Sequence, residues 1–291
     1  MKKSNPVATI SVKPHNISAN RFNSINIFPS VIISENNAPI IDFQRSLKTL
    51  LKTASHLNAH QDFSTSPDEE ALRKNLSINL MLIGVISAVE TYCRSIIREI
   101  LCLEHNCFRQ KAYSANLSYG AALSNNKNIL PEALLEHCSL ANSKNISDTF
   151  KDILGLVISP QRCATLHDAL EAFEKVCHIR HCIVHRSGKL GSSNAIKFGY
   201  TQHLNYIEQQ MVIDLQSLED MCNICENVVL ELNDVLLNHV LSQIVALEEW
   251  SGDLRKDKRT FNKYLKIFLD PTLCPKDIKS LYKEFKTKFA I

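Results

Sequence analysis

The sequence predicts an all-α protein: an up-and-down helical bundle with an irregular N-terminal segment and a basic helical C-terminal extension. Three observations carry this. Apolar residues recur at three- and four-residue spacing through several long stretches. A capping signal, Ser66-Pro67-Asp68-Glu69, opens the first of them. Runs of β-branched residues are few and short, so a sheet has little to be built from.

Residues 1 to about 40 read as extended or irregular. Ala8-Thr9-Ile10-Ser11-Val12 and Val31-Ile32-Ile33-Ser34 alternate with Pro and Asn, and no helical period is sustained. Ile40 to Leu57 reads as a short helix, and residues 1–65 are assigned to this N-terminal segment. The helix opened by Ser66 is expected to run to about Leu103. Its middle, Ile78 to Val89, is apolar nearly all round, which places it at the centre of the bundle. Small Gly84, Ser87 and Ala88 would let a neighbour approach closely. A polar loop near Ser124 to Asn128 precedes shorter segments around Pro131 to Leu140 and Ile146 to Ile158.

A second long helix is expected from near Cys163, with Leu166, Leu170, Phe173, Cys177 and Val184 as its stripe. It ends close to His185, where Gly188 offers a stop. The Gly/Ser-rich stretch between Leu190 and Gln202 reads as a turn among extended runs, a possible hairpin. A third long helix spans about Met211 to Leu247, closing a bundle over residues 66–250. In residues 251–291, Phe261, Tyr264 and Phe268, then Tyr282, Phe285 and Phe289, recur at helical spacing.

Composition narrows the function classes. With 291 residues, 45% of them hydrophobic and 22% charged, the chain suits an ordinary globular protein with a sizeable core. The net charge of +3 does not by itself mark a nucleic-acid binder. Charge is unevenly spread, however: from Ser251 to Ile291 eleven Lys or Arg face five Asp or Glu. Ten cysteines in so long a chain, several inside apolar helical patterns, read as reduced core thiols of a cytoplasmic protein. The charge-free run from Asn75 to Val89 falls short of the roughly 20 residues a membrane span needs, so no membrane partner is expected. With only seven glycines, no phosphate-cradling loop is present. Cys222-Asn223-Ile224-Cys225 is a single CxxC with no second pair to complete a zinc site, so no metal is expected.

The chemistry concentrates between His178 and Leu190. Arg180 and His185 are separated by four residues at a predicted helix end, His181 lies between them, and no Asp or Glu occurs from Lys175 through Ile207. Such a segment attracts an anion. A guanidinium offers a planar fork of donors matched to phosphate, and an imidazole titrates near about 6.5, so it can pass protons near neutrality. Five residues of helix turn through about 500°, leaving Arg180 and His185 roughly 140° apart unless His185 stands where the helix ends. Lys175, Arg186 and Lys189 are candidate RNA contacts beside them. The other reading is a solvated basic terminus, favourably placed at the negative end of the helix dipole.

Arg180-His181-Cys182-Ile183-Val184-His185, followed by Arg186-Ser187-Gly188, resembles the motif of the HEPN superfamily (higher eukaryotic and prokaryotic nucleotide-binding domains). Ile86-Ser87-Ala88-Val89-Glu90-Thr91-Tyr92 is similar to a core helix of several bacterial groups in it. The resemblance implies a metal-independent endoribonuclease without cofactor. In it the RNA 2′-hydroxyl attacks the adjacent phosphorus, leaving a 2′,3′-cyclic phosphate. It implies His185 as general base or acid, Arg180 as stabiliser of the phosphoryl oxygens, and His181 as an orienting or substrate-contacting group. It further implies a homodimer with a composite site, and a role in phage defence or as a toxin restrained by an antitoxin or other partner protein. A non-catalytic module that binds RNA, nucleotide or protein remains the alternative.

Two further features stand beside the motif. Ser87, Glu90 and Arg94 interrupt a stripe of Leu76, Leu80, Ile83, Ile97 and Leu101. Such a break requires partners, so Glu90 and Arg94 are candidates for supporting Arg180 or His185, with an intrahelical ion pair as the plainer account. The basic tail with Arg255, Lys256, Lys258, Arg259, Lys263 and Lys266 either tracks an RNA backbone or forms a solvated face. Its aromatics are expected to pack on the bundle.

Overall fold

A computed structural model describes residues 27–28, 37–59, 66–103, 105–123, 130–269 and 278–291. The chain divides into two units, Met1–Asn36 and Asn37–Ile291, and all the named helices lie in the second. The two β-branched runs expected before residue 37, and the loop near Ser124, fall outside the described residues. Among those described, the protein is all-α: helices account for every long element, and strand pairing is limited to an isolated bridge between Lys189 and Gln210.

Helix α1, Pro39–Ala59, is longer than expected and belongs to the bundle rather than to an N-terminal appendage. It buries Ile40, Phe43, Leu47 and Ala54, and Phe43 meets Tyr92 edge-on at 6.3 Å. Helix α2, Pro67–Leu101, begins at the predicted capping box, with Ser66 accepting from the Glu69 amide at 3.4 Å and its own amide reaching Glu69 at 3.3 Å. Gly84 is where α1 comes close: a Cβ there would sit 3.1 Å from the Leu50 side chain. Ile78, Leu82, Val85, Ile86 and Val89 are buried as expected. Leu76 and Leu80, expected in the buried stripe, are instead 56% and 55% exposed.

Short helices α4 (Leu130–Leu135) and α5 (Ser143–Leu154) pack on α2, and α3 (Tyr119–Leu123) packs on α4. Helix α6, Ala164–Arg186, and helix α8, Leu215–Ile244, complete the long core, burying Phe173, Val176 and Cys177 of one and Cys222, Cys225 and Val229 of the other. Cys222 and Cys225 are therefore core side chains, and burial raises the Cys222 thiol to about 12. Between α6 and α8 the expected hairpin is replaced by helix α7, Ser192–His203, broken at Gly199. Ala195 of α7 is buried with Cys182 and Leu190, and Phe198 packs against that group, so a small apolar cluster overrides the Gly/Ser composition.

Helices α9, Leu254–Leu265, and α10, Ile278–Phe289, form the C-terminal extension. Phe261, Tyr264, Phe268, Tyr282 and Phe285 are buried in the main core, as the helical spacing predicts. Buried polar groups fasten it. Tyr92 Oη donates to Asn233 Oδ1 at 3.1 Å, and Asn233 Nδ2 donates to the Phe268 carbonyl at 2.9 Å, linking α2, α8 and the end of α9. His105 Nε2 lies 2.9 Å from Glu248 and 2.8 Å from Tyr264 Oη. Helix α2 is long and apolar enough to cross a membrane by length and composition, yet 44% of its most apolar window is buried inside this fold.

Candidate functional site

Helix α6 ends as its sequence demands. Ser187 and Gly188 both take left-handed backbone, φ 53° and 84°, and the Gly188 amide closes back on the Cys182 carbonyl at 3.0 Å. A Cβ on Gly188 would stand 2.4 Å from Gln210 Nε2, which donates to the Ser187 carbonyl at 3.1 Å. The terminus is clamped to the strand-like segment before α8: Met211 donates to Gly188, and Leu190 exchanges bonds with Glu208 and Gln209. Asn75 and Asn79 of α2 close the other side, Asn75 Nδ2 standing 3.5 Å from the Met211 carbonyl. None of these partners was singled out from the sequence. Asn79, a lone amide in the apolar run, was the legible signal, and its Oδ1 is buried without a hydrogen-bond partner.

On this terminus the structure brings His181 and His185 together. One helical turn apart and both exposed, their ring centroids are 4.8 Å apart at 48°. Arg180 points elsewhere. Helix α6 stays regular through Arg186, which removes the freedom that a helix end at His185 would have given. The two side chains therefore remain about 140° apart, and no hydrogen bond joins them among the described residues. Arg180 is half-buried, and its Nε is shut from solvent with no hydrogen-bond partner.

The flanking carboxylates are spent on neighbours. Glu174 lies 3.5 Å from His178 Nε2 and accepts from the Ser143 amide at 2.9 Å. Burial lowers the His178 imidazole below its ordinary value, and Glu174 only partly opposes this. Glu208, the first acid after the motif, pairs with Arg186, and the Arg186 side chain also lies over Gly191. Arg186 is thus paired with Glu208 at the end of α6. Lys175 and Lys189 are exposed. Among the described residues no carboxylate forms a salt bridge with Arg180, His181 or His185.

Glu90 and Arg94 serve a different place. Glu90 accepts from the Leu140 amide at 2.9 Å, and Arg94 donates to the carbonyls of Leu135 and Cys138. They pin the loop between α4 and α5, and neither bonds to Arg180 or His185. This accounts for the polar break in the α2 stripe without a catalytic role.

Among the described residues the side chains best grouped for a metal are His167, Asp168 and Glu171, with ligand atoms within 4.8 Å of one another. They occupy the first turns of α6, at the opposite end from the motif, and their spacing is that of neighbours on one helix. A cavity of about 400 Å³ beside the motif is lined by Ile179, Leu190, Phe198, Tyr206, Met211 and Val212 among others. No protein-family model matches this chain, and no curated protein or solved structure matches it either.

Proposed function

We propose that this chain is a HEPN-type, metal-independent endoribonuclease acting as a homodimer, in phage defence or as a toxin held by a partner protein. The observation that carries the reading is the His181–His185 pair, exposed on the last turns of α6 beside Arg180, with every nearby acid engaged elsewhere. In this reading one imidazole takes the proton from the RNA 2′-hydroxyl as that oxygen bonds to phosphorus. The bond to the 5′ oxygen breaks, a second imidazole returns a proton to it, and a 2′,3′-cyclic phosphate remains. Such proton transfer contributes about 10²–10⁴-fold in rate. In this reading Arg180 stabilises the charge on the phosphoryl oxygens.

The divergence of Arg180 and His185 on one helix argues for the second copy. A phosphate bound at one chain's Arg180 does not reach the same chain's His185 without distortion, whereas a facing copy offers a complementary pair. A row of exposed leucines supplies a surface for it: Leu72, Leu76 and Leu80, four residues apart on α2, occupy the turns that carry Asn75 and Asn79. Val184 and Val212 are exposed at the same end. The same divergence favours a second reading, a helical module that binds RNA or a partner without cutting. Incubation of the full chain with RNA in EDTA separates them. Fragments ending in cyclic phosphate, lost in His185→Ala at unchanged fold, support the nuclease; RNA binding with intact RNA leaves the module.

A further inference from the structure

Helix α9 and Lys266 after it carry six cations, Arg255, Lys256, Lys258, Arg259, Lys263 and Lys266, and one acid within the helix, Asp257. The fold removes that acid from the surface. Asp257 is 5% exposed and accepts from the Ser251 amide at 3.0 Å, the Ser251 hydroxyl at 2.8 Å, the Gly252 amide at 3.1 Å and the Tyr282 hydroxyl. Asp253, exposed at the N-cap, accepts from the Arg255 amide at 2.9 Å. Within α9 itself the charged side chains that face solvent are therefore all cationic. Arg255, Lys256, Lys258, Arg259 and Lys266 are all exposed. Arg255, Arg259 and Lys266, with Lys256 and Lys263, fall within an arc of about 100°, opposite buried Phe261 and Tyr264, along about 16 Å of helix.

We propose that this face of α9 is a second phosphate-binding surface for RNA, set apart from the motif end of α6 and feeding strands to it. The assignment of RNA as the polyanion rests on the ribonuclease reading. Three features shape the mode. The aromatics of α9 are buried, so bases have nothing to stack on and binding is through the backbone, without sequence preference. No large apolar side chain of α9 or α10 is exposed, which removes the insertion a membrane-surface helix uses. The buried aromatics and the Asp257 anchor hold the cations on a rigid support.

Distance gives the proposal a sharp test. The end of α9 is tied to α8 at Asn233, whereas the motif end of α6 lies at the start of α8, clamped through Gly188 and Met211. The intervening turns of α8 rise about 27 Å, or about eight nucleotides at roughly 3.4 Å each. The experiment measures binding by fluorescence anisotropy, and cutting, of single-stranded RNAs of about 6 and about 20 nucleotides. It compares the full chain with the variant Arg255→Gln/Arg259→Gln/Lys266→Gln, all at exposed positions. On the long RNA the salt-dependence slope of binding should fall by about 2, at roughly 0.7 per lost contact, while the short RNA is bound and cut as before. An unchanged slope on the long RNA overturns the proposal, as does equal loss on both lengths. Vesicles rich in phosphatidylserine provide the other arm: binding to them that the variant loses, with RNA binding intact, assigns the face to lipid instead. If the protein cuts no RNA, the binding arm still reads α9, and only the nuclease reading falls.

Discussion

Gly188 shows how much one residue decides at the end of α6. Its φ of 84° lies in the left-handed region that a side chain strains, and a Cβ there would stand 2.4 Å from the end of the Gln210 side chain, which would have to move aside. Gly188→Ala should destabilise the protein by at least about 1–2 kcal/mol, the usual cost of a left-handed non-glycine. That lowers its melting temperature by several degrees in a thermal scan, and RNA cutting falls because His181 and His185 lose their platform. His185 and Arg180 are tested by different outcomes. His185→Ala should lose about 10²–10⁴-fold in cleavage rate with thermal stability unchanged, since the ring is exposed. Arg180→Lys should retain RNA binding but cut less, because a point charge replaces a planar fork; full activity would remove the guanidinium from the chemistry.

At the scale of the element, the C-terminal extension depends on one carboxylate. Burial opposes ionisation of Asp257, but hydrogen bonds from Tyr282, Ser251 and Gly252 outweigh it and hold the carboxyl below its ordinary value. A depressed acid contributes stability that is present above the unfolded value, about 3.9, and lost as pH falls through the folded one. Asp257→Asn should therefore cost about 1–3 kcal/mol at pH 7. The gap between its melting temperature and that of the unaltered chain should narrow below about pH 4. A gap that stays constant across that range would show that the charge of Asp257 is not what anchors α9 to α10.

For the whole molecule, the proposed composite site predicts a dimer whose loss abolishes the proposed cutting. Leu76→Asp and Leu80→Asp place charge on an exposed row, so the fold should survive while sedimentation shifts to the monomer and cleavage disappears. Monomeric wild-type protein that still cuts would remove the second copy from the mechanism.

The helices themselves were legible locally. The Ser66 capping box, the Gly188 stop and the α6 stripe of Leu166, Leu170, Phe173 and Cys177 all depend on side chains within a few turns of one another, although Val184, read into the same stripe, is 46% exposed. The extent of α1, the helical nature of α7 and the exposure of Leu76 and Leu80 were not, because each depends on which neighbour a face meets. The same division runs through the site. Sequence by itself determined an all-α chain with a cation- and imidazole-rich helix end bare of acids, since those properties follow from residue order. Only the tertiary structure decided that Glu208 takes Arg186, that Glu90 and Arg94 serve a loop, that Asp257 turns inward, and that His185 pairs with His181 rather than Arg180. Those outcomes join residues far apart in the chain, or depend on where one helix stops against another, and spacing along the chain carries no information about them.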